Sequence, residues 1–492
     1  MTISGHPETA TAPQAPQPTT LSVPMLIDGK RASARQTQRV ITESGANAIM
    51  PAFTAEVKDR LLSLDRNLLV GTSTQAIVSF LNRVGRNWRS EDYSRRRLYI
   101  RQLQQVLGYS EAAAEHEADW IGVVLTSHAR MLDLIGIELG NRFLLDEWTR
   151  VDEALVRAYP LGLAVHILPG NVPSSTLLSM LRAVLTKNLS VLKVASGDPI
   201  TATALVLSFM EVDPEHPVSR AVNVVYWPEG DPLGTEIVRS ADAVCAWGSG
   251  PAITWAKEHT HPEASFLPFG PKRSVALVGP GADLIATARG LAHDISVYDQ
   301  AACFSMQRVF VQGPVGPLVE ELKKALEHYE ELLPPQFLGV DDLAALNAQR
   351  LEYVFEGGQD HTVGERSAVI VVDPDVSIAP PLRRTILLHP VKDLREAYPY
   401  VDAGVQTVGA APWDLLTEHR DQLALRGANR FVELGLSNVF RVGGAHDGMR
   451  PMQRLVRYAS QEAPASEIPK GMVLPLDQTK ILENKSFQDV IL

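Results

Sequence analysis

The sequence predicts an α/β chain built from two successive parallel-sheet units. Three observations lead there. Short apolar runs alternate with helical patterns from residue 161 onward. The alternation breaks at "PFGPKRS", near residues 268–274, and then restarts. The 492 residues, 45% apolar and 21% charged, are enough for two or three domains with large cores.

The elements follow in chain order. Residues 1–24, rich in Pro, Thr and Ala, read as a mobile tail without the basic start and apolar block of a signal peptide. Residues 54–150 place apolar side chains three and four apart, as in "TQAIVSFLNRVGRNW" and "ADWIGVVLTSHARMLDLIGIELGNRFLLDEW". From the end of the first stretch toward the second run Arg83, Arg86, Arg89, Arg95, Arg96, Arg97 and Arg101. They make either a solvated helix face or a docking surface for an acidic cofactor or carrier.

From "LAVHIL" the period changes. "LSVLKV", "VNVVYW" and "DAVCAW" are the next strands, each followed by a helical stretch. Such alternation signals a parallel sheet with crossover helices, whose ligands bind at the carboxyl ends of the strands. After the break come "SVALVG", "QRVFVQ", "SAVIVVD" and "RTILLHPV", with the amphipathic helix "VGPLVEELKKALEHYEELL" among them. The expected organisation is a tail (1–24), a first unit with its helical region (25–270), a second unit (271–464) and a C-terminal tail (465–492).

Composition narrows the function. A net charge of −11 argues against nucleic acid as partner. Two cysteines without a CxxC or His/Cys cluster support neither a disulfide framework nor a metal site, and a reducing cytoplasm suits them. No apolar run reaches the ~20 residues needed to span a bilayer. GxGxxG after a strand, a Walker loop, GxSxG and HExxH are all absent.

What remains is a set of loops at strand ends: "LPGNVPSS", "KVASGDP", "WGSG", "PFGPKRS" and "YDQAACFS". Cys303 lies in the last. A thiol attacking an acyl or aldehyde carbon needs a donor for the oxyanion. Asn171 supplies an amide in a Pro/Gly-rimmed loop, although a turn role would also explain it. Free cysteines are most often small buried apolar residues. That reading competes for Cys303 and is the natural one for Cys245, inside an apolar strand.

The order of these motifs resembles the aldehyde dehydrogenase superfamily: Asn loop, strand ending in Lys, Gly-Ser turn, Gly-x-Lys turn, Gln-x-x-Cys. More closely, "GNVPSSTLLSMLRAVLTKN", "KVASGDPITATALVLSF", "VYWPEGD", "FGPKRS", "HDISVYDQAACFSMQ" and "GGAHDGMRPMQRLVR" resemble the acyl-CoA reductase family of LuxC-like fatty acid reductases. The similarity runs from about residue 150 to 460. It implies an aldehyde dehydrogenase-like fold with a dinucleotide-binding unit, a catalytic unit and a small oligomerisation arm, for which residues 465–492 are a candidate. It implies Cys303 as the nucleophile that carries the acyl group as a thioester. Asn171 and the Cys303 N–H would be the oxyanion donors. Lys193 would meet the adenosine ribose, and Gly248 with Ser249 the pyrophosphate.

Two departures from the superfamily pattern shape the expected chemistry. Pro268 stands where hydrolytic relatives carry the Glu that activates water, and a positioned base contributes ~10²–10⁴-fold. The acyl-enzyme should therefore be reduced rather than hydrolysed, although Glu263, Asp294 and Asp299 lie nearby in sequence. Ser196 replaces a Glu that would repel a 2′-phosphate, which favours NADPH. His293 is a candidate general acid on residue type, or else a cap on the preceding helix. The expected activity is NADPH-dependent reduction of a fatty acyl thioester to the aldehyde. The donor would be acyl-CoA, a carrier protein or a partner acyl-protein synthetase, and the enzyme a homo-oligomer. Oxidation of an aldehyde to the acid, and a silent scaffold for a synthetase, are the alternatives.

Overall fold

The computed structural model describes residues 20–462, apart from 33–35, 43–44, 153 and 365. The candidate arm at 465–492 lies outside the described residues. Two seven-stranded sheets organise the chain. In the first, Ser265–Phe269, Ala243–Trp247, Leu163–Ile167, Leu189–Lys193 and Val222–Val225 lie side by side and parallel. Their central residues are almost all buried, because helices cover both faces of such a sheet. Leu163–Ile167 sits between Ala243–Trp247 and Leu189–Lys193. The strand order reverses there, and the loops after these strands open a crevice.

The edge of this sheet was not foreseen. Leu26–Ile27 and Lys30–Arg31 add antiparallel strands beside Val222–Val225. The tail expected at 1–24 also ends earlier than its composition suggests. Thr20–Ser22 pairs with Asn47–Pro51, and Val23 and Met25 are buried. Apolar side chains in "TLSVPML" outweigh its proline, which falls just beyond the strand. Residues 1–19 lie outside the described residues.

The helical region covers the first sheet. Thr74–Trp88 starts at Ser73, whose hydroxyl accepts from the Ala76 N–H. It buries Ile77, Phe80, Leu81, Val84 and Trp88, and the Trp88 indole donates to Ser208 Oγ at 3.0 Å. In the arginine-rich stretch, Arg95 pairs with Glu211, Arg96 with Asp119 and Arg97 with Asp92.

The chain leaves the first sheet at Phe269 and enters the second at Arg273. The strand order there is Gln359–Val363, Ser367–Val371, Thr385–Val391, Met306–Gln312, Arg273–Val278, Val405–Ala411 and Arg430–Glu433. All neighbours are parallel except the first pair. The last described strand does not stay in this unit. Val456–Glu462 returns to pair antiparallel with Ala154–Pro160, which also pairs with Thr149–Val151 in a small third sheet. The open edge of Ala154–Pro160 attracts it, and Asn188 Nδ2 donates to the Leu455 carbonyl at the crossing.

Two loops of the second unit are unusual. Tyr298, Asp299 and Gln300 have φ of 57°, 47° and 64°, and Leu382, Arg383 and Arg384 have φ of 59°, 51° and 63°. Non-glycine residues visit this region at a cost of roughly 1–2 kcal/mol each. Cross-bonds between the loops hold them there. Arg384 Nε donates to Asp299 Oδ1 at 2.5 Å, with both side chains 2% exposed. The Thr385 N–H donates to Gln300 Oε1 at 2.9 Å, and Gln300 Nε2 to the Met306 carbonyl at 2.7 Å. Cys303 lies just beyond. Arg384→Met should leave Asp299 buried without its partner and cost ~3–5 kcal/mol. Urea unfolding of the two proteins would measure it; an unchanged midpoint would show that the ion pair does not hold the loops.

Candidate active site

A cavity of about 1020 Å³ opens where the carboxyl ends of the first sheet's strands face the amino ends of the second sheet's strands Arg273–Val278, Met306–Gln312 and Thr385–Val391. Its wall includes Asn171, Gly248, Ser249, Lys272, His293 and Cys303. Five of the seven residues singled out in the sequence are thus brought together. Lys193 and Ser196 stand one loop away, after the neighbouring strand. That loop packs backbone against backbone on the Asn171 loop: a Cβ on Gly170 would sit 3.0 Å from Gly197 Cα. Only glycines allow this approach.

Cys303 is partly buried in a loop whose carbonyl accepts from Ser274 Oγ at 2.7 Å. Asn171 is anchored above the same loop, with Nδ2 donating to the Ala301 carbonyl at 3.0 Å. Its second amide hydrogen is left for a ligand. Burial pushes the Cys303 thiol up to about 12, and the charge of Asp447 adds to this. A hydrogen bond with Gln406 and the charge of Arg430 act the other way. Cys245 sits buried within Ala243–Trp247 as a core residue, its thiol also raised to about 12 by burial.

Among the described residues, the cavity wall carries one carboxylate, Asp299, and Arg384 and the Gln336 N–H occupy it. Asp294 accepts from the Gly435 and Ser437 N–H groups. Glu263 is exposed in a turn. Pro268 lies in its strand opposite Ala246, and the wall begins with Phe269. Asp299 and Asp294 are occupied and Glu263 lies outside the cavity wall, so none of the three is placed to activate water there. His293 has both ring nitrogens near partners, Tyr329 Oη at 3.2 Å and Asn438 Oδ1 at 3.4 Å.

The first unit's loops fit a dinucleotide. Gly248 adopts φ 143°, and Ser249 opens helix Gly250–His259 without a side-chain cap bond. The helix N–H groups are therefore left for an anion. Nothing lies within 4 Å of where a Gly250 Cβ would be. Lys193 is half-buried and makes no ion pair among the described residues; burial lowers its amine below the ordinary value. Ser196 is exposed and brings no negative charge.

The sequence reading missed Gln406, Asp447 and Glu117. Gln406 occupies a strand position that looks like any polar edge residue. Asp447 was legible only as part of an Asp-Gly turn. Glu117 is hidden in the helix Glu111–Thr126, where a carboxylate reads as a solvated face. It is 1% exposed, and among the described residues no partner meets hydrogen-bond geometry for its oxygens. Tyr298 Oη and the Ser174 N–H are its polar neighbours, and Tyr298 Oη donates to Ser174 Oγ at 2.9 Å. Burial pushes the Glu117 carboxyl up to about 8.

Residues 69–458 match the family described as acyl-CoA reductase (LuxC). A long-chain acyl-protein thioester reductase of Photorhabdus luminescens is 45% identical over 419 residues, 84% of this chain and 87% of its own length. That of Aliivibrio fischeri is 41% identical over 453 residues, 91% and 92% of the two chains. The fold is that of aldehyde dehydrogenases. A NAD-dependent benzaldehyde dehydrogenase from Corynebacterium glutamicum superposes with a TM-score of 0.70 at 16% identity, covering 91% of this chain and 98% of its own. A NADP-dependent glyceraldehyde-3-phosphate dehydrogenase from Bacillus halodurans does so with a TM-score of 0.70 at 16% identity, covering 90% and 100%.

Glu117 gives the site a pH signature. Its folded value is raised above 4.5, the ordinary one, so the native state holds a proton that the unfolded chain has lost. That stability is complete below about 4.5 and is lost as pH rises through about 8. Glu117→Gln keeps the neutral shape. Its melting temperature should match the unaltered protein near the acid end and exceed it increasingly toward pH 8, by an equivalent of a few kcal/mol, on the order expected for such a shift. Parallel curves would mean that burial does not raise the Glu117 carboxyl above its unfolded value.

Proposed function

Because the chain belongs to the acyl-CoA reductase (LuxC) family, we propose that it reduces a long-chain acyl thioester to the aldehyde, with Cys303 carrying the acyl group and NADPH as reductant. The observation that carries this reading is a thiol beneath an anchored Asn amide, in a wall where no carboxylate is free to activate water. Cys303 forms the thioester bond as the donor thiol leaves. Asn171 and the Cys303 N–H hold the oxyanion, and His293 is the candidate acid for the product oxygen. The nicotinamide, when bound, supplies the hydride. Lys193 and Ser196 would hold the adenosine ribose and its 2′-phosphate, and Gly248 and Ser249 the pyrophosphate. The division of labour is dinucleotide binding by the first unit and acyl chemistry by the second.

The relatives' names speak of acyl-protein thioesters, which supports a partner acyl-protein as donor, with acyl-CoA as a simpler substitute. No single helix is long and apolar enough to cross a membrane among the described residues. A reducing cytoplasm suits a free thiol nucleophile. Self-association would use the small third sheet, where Val151 and Tyr458 are exposed. Oxidation to the free acid is disfavoured by the missing base, and a silent scaffold by the bond that keeps Asn171 over the Cys303 loop.

The reading is tested without nucleotide first. Radiolabelled acyl-CoA should label the unaltered protein, the label should persist, and NADPH should discharge it as aldehyde. Cys303→Ala should take no label, while Cys245→Ala should. Asn171→Ala should lower kcat by ~10²–10³ with little change in NADPH affinity. Rapid release of free fatty acid without nucleotide would instead reveal a working hydrolase.

Cofactor choice is separable. Ser196→Glu sets a carboxylate where the 2′-phosphate would lie, and charge-assisted bonds of this kind contribute ~1.5–3 kcal/mol, roughly tenfold to hundredfold. NADPH should weaken by that factor while NADH changes little. Equal kcat/KM for the two nucleotides in the unaltered enzyme would overturn the NADPH assignment alone.

A further inference from the structure

Five aromatic rings line one side of the cavity. Trp247 and Phe269, at the ends of neighbouring strands of the first sheet, stack at 4.0 Å with 15° between their planes. The Trp247 indole is fixed by donating to Ser179 Oγ at 3.0 Å. His446 stands edge-on to both rings, at 5.5 Å and 5.1 Å between centres. Its face stacks on Phe440 at 5.1 Å. Phe440 in turn meets Phe304, the neighbour of Cys303, at 5.9 Å.

His446 is the polar member of this wall, and it is held from behind. The sequence "HDGM", His446 to Met449, closes a two-residue turn in which the His446 and Met449 backbones bond each other both ways at 2.9 Å. Asp447 and Gly448 take the left-handed φ of 49° and 76° that such a turn demands. Gln406, at the register slip between Arg273–Val278 and Val405–Ala411, donates to Asp447 Oδ1 at 2.5 Å and ties the turn to the second sheet. Arg182 Nη2 lies 3.0 Å from His446 Nδ1. A guanidinium donates and never accepts, so Nδ1 is the acceptor and the ring proton sits on Nε2. Burial, with the charges of Arg182 and Arg430, holds the imidazole well below its ordinary value, so the ring stays neutral. Neither nitrogen is then open to take a proton from water. Arg182 lies behind the wall, outside the residues that line the cavity, so Nδ1 points away from the cavity and Nε2–H toward it. No partner meets that N–H among the described residues.

We propose that the Nε2–H of His446 donates to the carboxamide oxygen of the bound nicotinamide and so orients that ring against the aromatic wall. The place follows from the two ends of the wall. Trp247 directly precedes Gly248 and Ser249, which would take the pyrophosphate. Phe440 meets the neighbour of Cys303, whose acyl group must receive the hydride. A nicotinamide joined to the one and reacting at the other lies between them, where His446 stands. The flat apolar rings of the wall suit a flat heterocycle. The carboxamide distinguishes the two faces of that heterocycle, so a donor that holds its oxygen selects the face turned to Cys303. A neutral donor is the right kind. The ring gains positive charge when its hydride leaves, and an imidazolium beside it would oppose that change. Arg182, by occupying Nδ1, keeps an imidazolium from forming.

This deepens the reductase reading and rests on its dinucleotide, and the test separates the two. The full-length protein is titrated by calorimetry with NADP⁺ and with 2′-phospho-ADP-ribose, the same molecule without its nicotinamide. His446→Phe keeps a flat ring and loses the donor. It should bind NADP⁺ roughly threefold to tenfold more weakly, the range for one neutral hydrogen bond, and the fragment as before. His446→Gln can accept from Arg182 and donate into the cavity, and should recover most of the NADP⁺ affinity. Unchanged NADP⁺ affinity in His446→Phe would overturn the proposal. So would an equal loss for both ligands, which would mark His446 as structural. A second measurement does not depend on how His446→Phe folds. In the unaltered protein carrying isotope-labelled histidine, magnetic resonance should show the His446 ring neutral with its proton on Nε2. Its signal, identified by its loss in His446→Gln, should move with NADP⁺ and not with the fragment. A signal indifferent to NADP⁺ would also overturn the proposal. If neither ligand binds the unaltered protein, the dinucleotide reading itself fails and takes this inference with it.

Discussion

The Asp299–Arg384 ion pair is the constraint from which the site follows. It joins two runs of left-handed residues that neither loop could hold alone, one just before Cys303 and one just before strand Thr385–Val391. Gln300 adds a bridge from the same segment to Thr385 and Met306. With these fixed, Tyr298 is turned toward the first unit, where its hydroxyl donates to Ser174 three residues beyond Asn171. Cys303 and Asn171 are positioned by one connected set of contacts. The strain of six unfavourable backbone conformations is offset by groups that are themselves buried and paired.

The same economy governs the carboxylates. Asp299 is spent on an arginine, and Asp294 on the N–H groups of the loop at Gly435 and Ser437. Arg430 fastens that loop from the other side through the Ser437 and Val439 carbonyls, and lies over the Phe440 ring. The groups that could polarise water are used to build walls. Such surroundings would suit an acyl thioester, which is neutral and whose reduction by hydride would need no activated water.

The sequence revealed the parallel strands and their loops because burial on both faces leaves near-continuous apolar runs, as in Leu163–Ile167 and Ala243–Trp247. Loops at the ends of such runs converge by topology, so Asn171, Gly248, Ser249 and Cys303 could be gathered before any coordinates. The short antiparallel strands at Leu26–Ile27 and Lys30–Arg31 were hidden because two residues carry no period. Gln406 was hidden for a different reason. Its placement comes from a register slip between strands more than a hundred residues apart, which a local pattern does not encode. Glu117 was missed because helical spacing reports a face and not what packs on it.

The return of Val456–Glu462 to Ala154–Pro160 has a consequence for the newborn chain. About 300 residues separate the two strands. At ~5–20 residues per second, the ribosome takes roughly 15–60 s to deliver the partner. The first unit can assemble its sheet during that time, but one edge stays unpaired, and an unpaired edge invites other strands. Synthesis thus passes through an interval in which a chaperone, or a slow second half, decides between a finished molecule and an aggregate. Shortened chains that end before residue 456 would remain in that interval permanently.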